Sequence, residues 1–262
     1  MATLRDKLWL FGFPVDSHRG KTWLPEGRMM STLEGACYLG IPNALVVVQA
    51  DVPVAPFDRH VLPLTPLKRV VWSVLGDSKS YRNDVDEVLR LAEKFPNITG
   101  GILDDFFRKP DDAQGPLGRF NLEELAGLRD RLHGAPRPLE LWLVLYAHQL
   151  GLPVEEYLDL SDVITFWTWR SKDLTQLEDQ FDRLEAMAPH KPKMLGCYFR
   201  DLDDGREIPV DRMKYQCELG LRWLHAGRIA GIILLGSSLC GLGLDAVEWA
   251  RDWIAEIGDE AV

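Results

Sequence analysis

The run Thr99-Gly100-Gly101-Ile102-Leu103-Asp104-Asp105-Phe106-Phe107 is apolar until it ends in two adjacent carboxylates with aromatics behind them. Two acids at one strand end are unfavourable unless they are solvated, paired or used. If used, one acts as nucleophile, general base or general acid while the other tunes its pKa or positions a substrate. If not, one caps the following loop and the other pairs with Arg108 or Lys109. Side chains alternate along a strand, so regular geometry sends the two acids to opposite sides, whereas a fraying end lets both reach the same side.

Polar and aromatic clusters follow seven other apolar runs. They supply Asp16, Ser17 and His18 after the first run, Gln49 and Asp51 after the second, and Ser73 and Asp77 at the third. Tyr146, His148 and Gln149 follow at the fifth, and Thr165, Trp167, Trp169 and Arg170 at the sixth. The seventh ends in Tyr198, Arg200 and Asp201, and the eighth in Ser237 and Ser238. Carboxylates beside aromatic rings suit carbohydrate, because sugar C–H faces pack on Trp and Tyr while hydroxyls hydrogen-bond to Asp, His, Gln and Arg. Trp167 and Trp169 share one side of their strand and form either a sugar platform or core packing. Arg200 either holds a substrate oxygen or makes a structural ion pair. Asp16 and His18 with Asp104 and His148 have the donor types of a mixed nitrogen and oxygen metal site. No HxH stands at the first strand and no glutamate set at the strand ends, so the expected site holds no metal. No strand-end lysine of Schiff-base type or glycine-rich phosphate clamp is present, and no cofactor is expected.

These residues must be positioned by short runs rich in Val, Ile, Leu, Phe and Trp: Lys7–Phe13, Ala44–Val48, Arg69–Leu75, Ile98–Leu103, Leu139–Tyr146, Val163–Trp169, Lys193–Phe199 and Ile229–Leu235. Near-continuous apolar runs are characteristic of strands buried on both faces in a parallel sheet. Helical patterns lie between them. Ser31–Gly40 opens with a Ser-Thr-Leu-Glu capping box, and Asn121–Leu132 starts at an asparagine cap. Helices are also expected over Asn83–Phe95, Leu174–Met187, Asp211–Ala226 and Leu244–Ile257, with a short one in Pro153–Leu160. The segment Ala50–Lys68 carries Pro53, Pro56, Pro63 and Pro66 and has room for a short helix at Phe57–Leu62 only. Eight strands alternating with helices predict a single (β/α)8 barrel spanning residues 1–262, with an irregular connection between strands two and three. A doubly wound sheet is the alternative, but no glycine-rich turn follows the first or second strand. Barrel sites form at the C-terminal strand ends, where all of the residues above fall.

The chain has 262 residues, 46% of them hydrophobic, and a net charge of -10. That length and composition support a sizeable core, fit one large domain as well as two small ones, and argue against nucleic acid or an anionic membrane as partner. No run approaches the roughly 18–20 apolar residues of a membrane span. The four cysteines, Cys37, Cys197, Cys217 and Cys240, form no CxxC pair and read as free thiols of a cytoplasmic protein.

Gly-Gly-Ile-Leu-Asp-Asp-Phe-Phe at the fourth strand, Phe-Trp-Thr-Trp at the sixth and Gly-Cys-Tyr-Phe-Arg-Asp at the seventh together resemble the TIM-barrel glycoside hydrolases. The resemblance implies a carbohydrate-active enzyme with a catalytic acid at the end of strand four, which maps onto Asp104 or Asp105. Many of those enzymes also carry a glutamate at the end of strand four, six or seven. This chain has none there, and Asp201 is the nearest substitute. The departure points away from a two-glutamate retaining pair, toward an aspartate pair, a substrate-assisted route or a barrel that binds sugar without cleaving it. The expected catalytic set is Asp104, Asp105 and Asp201. The expected contacts to a small-molecule or oligosaccharide substrate are Asp16, His18, Gln49, Tyr146, His148, Trp167, Trp169, Tyr198 and Arg200. A metal-dependent sugar isomerase, epimerase or hydrolase and a non-catalytic sugar-binding barrel are the alternatives.

Overall fold

The computed structural model describes residues 2–13, 29–48, 52–75, 83–109, 115–202 and 205–262. Asp16, His18 and Gln49, with Ser17, Asp51 and Asp77, lie outside the described residues.

Eight parallel strands close into a barrel in chain order. A short helical turn, α1 (Leu4–Lys7), leads into β1 (Leu8–Gly12). Then come α2 (Thr32–Leu39), β2 (Asn43–Val46), the short α3 (Asp58–Val61), β3 (Arg69–Ser73), α4 (Val85–Lys94) and β4 (Ile98–Leu103). The second half runs α5 (Leu122–His133), β5 (Glu140–Tyr146), α6 (Glu155–Leu160), β6 (Val163–Trp167), α7 (Leu177–Met187), β7 (Lys193–Tyr198), α8 (Val210–His225), β8 (Gly231–Leu235) and α9 (Asp245–Ile257). This is the (β/α)8 barrel expected from the sequence, with β4 matching its expected bounds. Among its described residues, the connection between β2 and β3 holds α3 and the 3₁₀ turn Leu62–Leu64. Proline explains its brevity: Pro63 stands early in that 3₁₀ turn, where its missing N–H costs nothing, but it cannot continue α3. The expected capping boxes form at Ser31–Glu34 and Asn121–Glu124. A third, at Thr3–Asp6, stops β1 from starting at Lys7.

Strand alternation splits the core into two shells. Leu8, Leu10, Ala44, Val70, Trp72, Leu103, Leu141, Leu143, Ile164, Phe166, Leu195 and Ile232 face the helices. Trp9, Phe11, Leu45, Val71, Ile102, Trp142, Trp167, Met194 and Tyr198 fill the barrel interior. Aromatic rings dominate that interior, and small residues opposite make room for them. A Cβ on Gly196 would lie 2.1 Å from the Trp167 ring. At the N-terminal end, Trp9 packs 4.8 Å from Trp142, whose indole N–H donates to Glu140. Arg69 pairs with Glu140 at 2.7 Å and covers the Trp9 ring. That end is therefore plugged by rings and one ion pair, and the C-terminal mouth is where a ligand can enter.

Candidate active site

Ile102 is fully buried in the interior, so the next residue on that side, Asp104, points into the mouth. Asp105 would then turn toward the helices, but its φ of +47° carries the chain out of the strand instead. Aspartate tolerates this left-handed conformation better than most residues because its short side chain bonds locally. Both carboxylates then face one cavity. The Asp105 N–H donates to Asp104 Oδ1 at 2.9 Å. The Tyr146 hydroxyl, from the end of β5, lies 2.8 Å from Asp105 Oδ1 and 3.2 Å from Asp104 Oδ1, bridging the two acids.

The segment after the acids is fixed by its own backbone. Arg108 N–H donates to Leu117 O, Arg119 N–H donates to Phe106 O, and Phe107 bridges Gly118 in antiparallel fashion. Gly118 is required under Phe106, where a Cβ would come within 2.6 Å of the ring. Buried Gln149 ties this segment to β5: its Nε2 donates to Phe107 O at 3.1 Å, and its Oε1 accepts from the Tyr146 N–H at 3.0 Å. One amide thus locks together the ends of the two strands that carry Asp104, Asp105 and Tyr146.

The cavity measures about 570 Å³. Phe11, Phe13, Trp167 and Tyr198 contribute to its lining from the barrel interior. Trp167 is 1% exposed, with its indole N–H on Thr165 Oγ1 and its ring 5.1 Å from Tyr198, so it serves as rigid floor. Tyr146, His148 and Trp169 make an aromatic wall. The Tyr146 and His148 rings stack with 7° between planes, and Trp169 sets its edge against both, 5.0 and 4.6 Å away. The rim carries Arg108, Lys109, Arg119 and Arg200.

Burial deep in the mouth, reinforced by the negative charge of Asp105, pushes the Asp104 carboxyl up to about 7. The Asp105 N–H, the Tyr146 hydroxyl and the Arg119 cation oppose that rise. Burial and the two carboxylates push both Tyr146 and Tyr198 well above the usual phenol range. At neutral pH the floor therefore holds two neutral phenols and an Asp104 that readily carries a proton. An acid that readily holds a proton beside a second carboxylate is the kind of environment in which acid and base roles separate.

Of the residues expected from the sequence, Asp104, Asp105, Tyr146, His148, Trp167, Trp169, Tyr198 and Arg200 meet at this cavity. Asp201 is buried, accepts from the Ser171 N–H at 2.7 Å and from the Ser171 hydroxyl at 2.8 Å, and does not line it. Its placement follows from alternation after β7, which turns Arg200 to the mouth and Asp201 to the following turn. Sequence reasoning does not reach Arg119, because fifteen residues separate it from β4 and only the pairing of Phe107 with Gly118 folds it back. Phe11 and Leu235 lie within apolar strand runs, and their position one layer below the mouth makes them lining as well. Among the described residues no group of three or more His, Cys, Asp or Glu is placed to hold a metal ion. No described helix is long and apolar enough to cross a membrane.

No family model and no curated protein matches the sequence. Similarity to solved structures is broad and extends along the whole chain at low identity. A xylanase and α-amylase inhibitor protein in complex with trehalose aligns with a TM-score of 0.59 at 13% identity, covering 96% of this chain and 98% of that one. A GH113 β-1,4-mannanase aligns with a TM-score of 0.59 at 11% identity, over 97% of this chain and 99% of its own. A GH18 chitinase from Cycas revoluta in complex with (GlcNAc)3 aligns with a TM-score of 0.55 at 12% identity, over 94% and 98% of the two chains. These similarities establish the barrel fold.

Proposed function

We propose that this barrel is a glycoside hydrolase acting at the Asp104–Asp105 pair. The observation that carries the proposal is the single Tyr146 hydroxyl shared by two carboxylates at the floor of an aromatic-walled cavity. Structural neighbours that hydrolyse or bind saccharides support the carbohydrate assignment.

The phenol has one proton to donate. Directed at both acids, it favours their charged forms and opposes, without cancelling, the burial that keeps a proton on Asp104. In this arrangement Asp104 is the general acid, holding its proton near neutral pH and passing it to the leaving glycosidic oxygen. Asp105 faces the positive charge that develops on the sugar ring. The two bridged oxygens lie no more than about 6 Å apart, whereas inverting pairs stand roughly 6.5–9.5 Å apart to admit a water between them. We therefore assign a retaining route, with Asp105 either attacking the anomeric carbon or orienting a nucleophile that the substrate itself carries. Tyr146, His148, Trp169 and Tyr198 hold the sugar rings, and Arg200 a hydroxyl. Asp201, through Ser171, fixes the turn that follows Trp169. Asp16, His18 and Gln49, outside the described residues, are proposed as further sugar contacts.

The test is release of reducing ends from β-linked mannan, chitin and glucan oligosaccharides by the wild type and by Asp104→Asn. Loss of the general acid should lower kcat by about 10²–10⁴-fold. Turnover that persists in Asp104→Asn, or a wild type that binds these sugars without cleaving them, would overturn the assignment.

A further inference from the structure

Among its described lining residues the cavity carries four cations, Arg108, Lys109, Arg119 and Arg200, and two carboxylates, Asp104 and Asp105. The balance of that lining is positive even with both acids ionised, in a chain whose net charge is -10. Arg108, Arg119 and Arg200 are half-buried and Lys109 is exposed, so all four present surface to a ligand. A concave site lined by one sign of charge focuses its field and draws in ligands of the opposite sign.

The backbone fixes where two of these cations stand. Phe107 and Gly118 form an antiparallel bridge, with the Arg108 N–H on Leu117 O and the Arg119 N–H on Phe106 O. Residues flanking a bridged pair on either strand point to one face, so Arg108 and Arg119 are diagonal neighbours on the same side of this ribbon. Gln149 ties the ribbon to β5 through Phe107 O and holds that side against the site. Arg119 stands near enough to Asp104 for its charge to oppose the rise of that carboxyl, so the pair lies beside the reacting acids. Residue type matters as much as charge. A guanidinium presents a planar fork that matches the oxygens of a carboxylate or sulfate, whereas an ammonium is a point charge. A neutral sugar hydroxyl needs one donor and no charge, but two forks on one face of one ribbon fit a group with several anionic oxygens.

We propose that Arg108 and Arg119 hold an anionic substituent of the sugar, so that the preferred substrate is an acidic saccharide, bearing a carboxylate or a sulfate ester, over its neutral counterpart. This deepens the glycosidase assignment above and rests on it. The acid-bearing ring stands beside Asp104 and Asp105 with its C–H groups toward the wall of Tyr146, His148 and Trp169. Lys109 and Arg200 add to the field at the mouth.

The test is titration calorimetry of the Asp104→Asn protein with two matched pairs of tetrasaccharides. A β-1,4-linked mannuronate chain against a β-1,4-linked mannan chain isolates the carboxylate, and 6-O-sulfated chitin against chitin isolates the sulfate. One acidic member should bind about ten- to a hundredfold more tightly than its neutral partner, and the pair that shows the preference tells carboxylate from sulfate. The preference should shrink between about 0.01 M and 1 M salt, as the screening length falls from roughly 30 Å to 3 Å. With Arg108→Gln and Arg119→Gln added, the acidic member should fall to the affinity of its neutral partner. Equal binding within both pairs, a preference indifferent to salt, a preference that survives both substitutions, or no binding by either acidic member overturns the proposal. Should the doubly substituted protein not fold, Arg108→Lys decides, because it keeps the charge and loses the fork. A preference cut severalfold by it supports the clamp, and an unchanged one sinks it. Release of reducing ends by the wild type separates the two ideas. Preferential binding of an acidic chain without cleavage of any chain keeps the anion site and removes the glycosidase, while equal cleavage of acidic and neutral chains does the reverse.

Discussion

Asp104→Asn should stabilise the protein at alkaline pH, and the size of the effect follows from the site. Asp104 is held near pH 7 in the fold, against about 3.9 in an unfolded chain. Between those values the native state keeps a proton that the unfolded state has released. The group's favourable contribution is therefore complete below about pH 4 and is lost as pH rises through 7. Three pKa units at 1.36 kcal/mol each set an upper bound of about 4 kcal/mol, and the open face toward the cavity reduces it to about 2–4 kcal/mol. Asparagine keeps the acceptor for the Asp105 N–H and cannot ionise. Its melting temperature relative to wild type should thus be about 5–10 °C higher at pH 8 than at pH 4.5. Thermal unfolding followed by circular dichroism in buffers across that range measures the difference. A gap between variant and wild type that is the same at both pH values would refute the reasoning, as would a variant less stable than wild type at pH 8. In either case Asp104 titrates as an ordinary carboxylate and the basis for its acid role is gone.

Tyr146→Phe removes one of the interactions that hold the Asp104 carboxyl down, so its titration should move upward from about 7. Carbon-13 detection of the aspartate carboxyl signals follows this directly, and an unmoved or lowered midpoint would contradict the bridge. Gly196→Ala places a methyl 2.1 Å from Trp167 ring atoms and should cost about 3 kcal/mol in urea unfolding, with the floor of the site displaced. A variant within about 0.5 kcal/mol of wild type would show that Trp167 is not seated as firmly as its packing implies.

The barrel was legible because its strands are nearly continuous apolar runs, and such runs are ambiguous only at their ends. Ile98–Leu103 was bounded correctly because Asn97 and Asp104 flank it with polar groups. The apolar run Val163–Trp169 extends two residues past β6 because Thr168 and Trp169 are as strand-prone as what precedes them, while the pairing of Tyr146 with Trp167 shows where the ladder stops. The site was legible to the extent that strand order fixes which ends are neighbours. Asp104 and Tyr146 fall on adjacent strands, β4 and β5, so their meeting follows from topology. Asp201 fell outside the cavity for a reason invisible at one-residue resolution, since Arg200 and Asp201 cannot both face the mouth in extended backbone. The bridging role of Gln149 depended on a loop conformation that no spacing encodes.

The same alternation should have separated Asp104 from Asp105, and why it does not bears on mechanism. A left-handed residue other than glycine costs about 1–2 kcal/mol, which a fold retains where the surroundings over-determine it. Here the Asp105 N–H to Asp104, the Tyr146 bridge and the Gln149 clamp all hold the turned conformation. The result is two acids whose proximity comes from sequence adjacency. Carboxylates contributed by opposite strands are free to stand a water's width apart, but adjacent ones joined through one phenol are not. The strain at Asp105 therefore favours, in the proposed mechanism, a shared proton and a nucleophile close at hand. Under the proposed mechanism the second carboxylate comes from the next residue, so no strand-end glutamate is required.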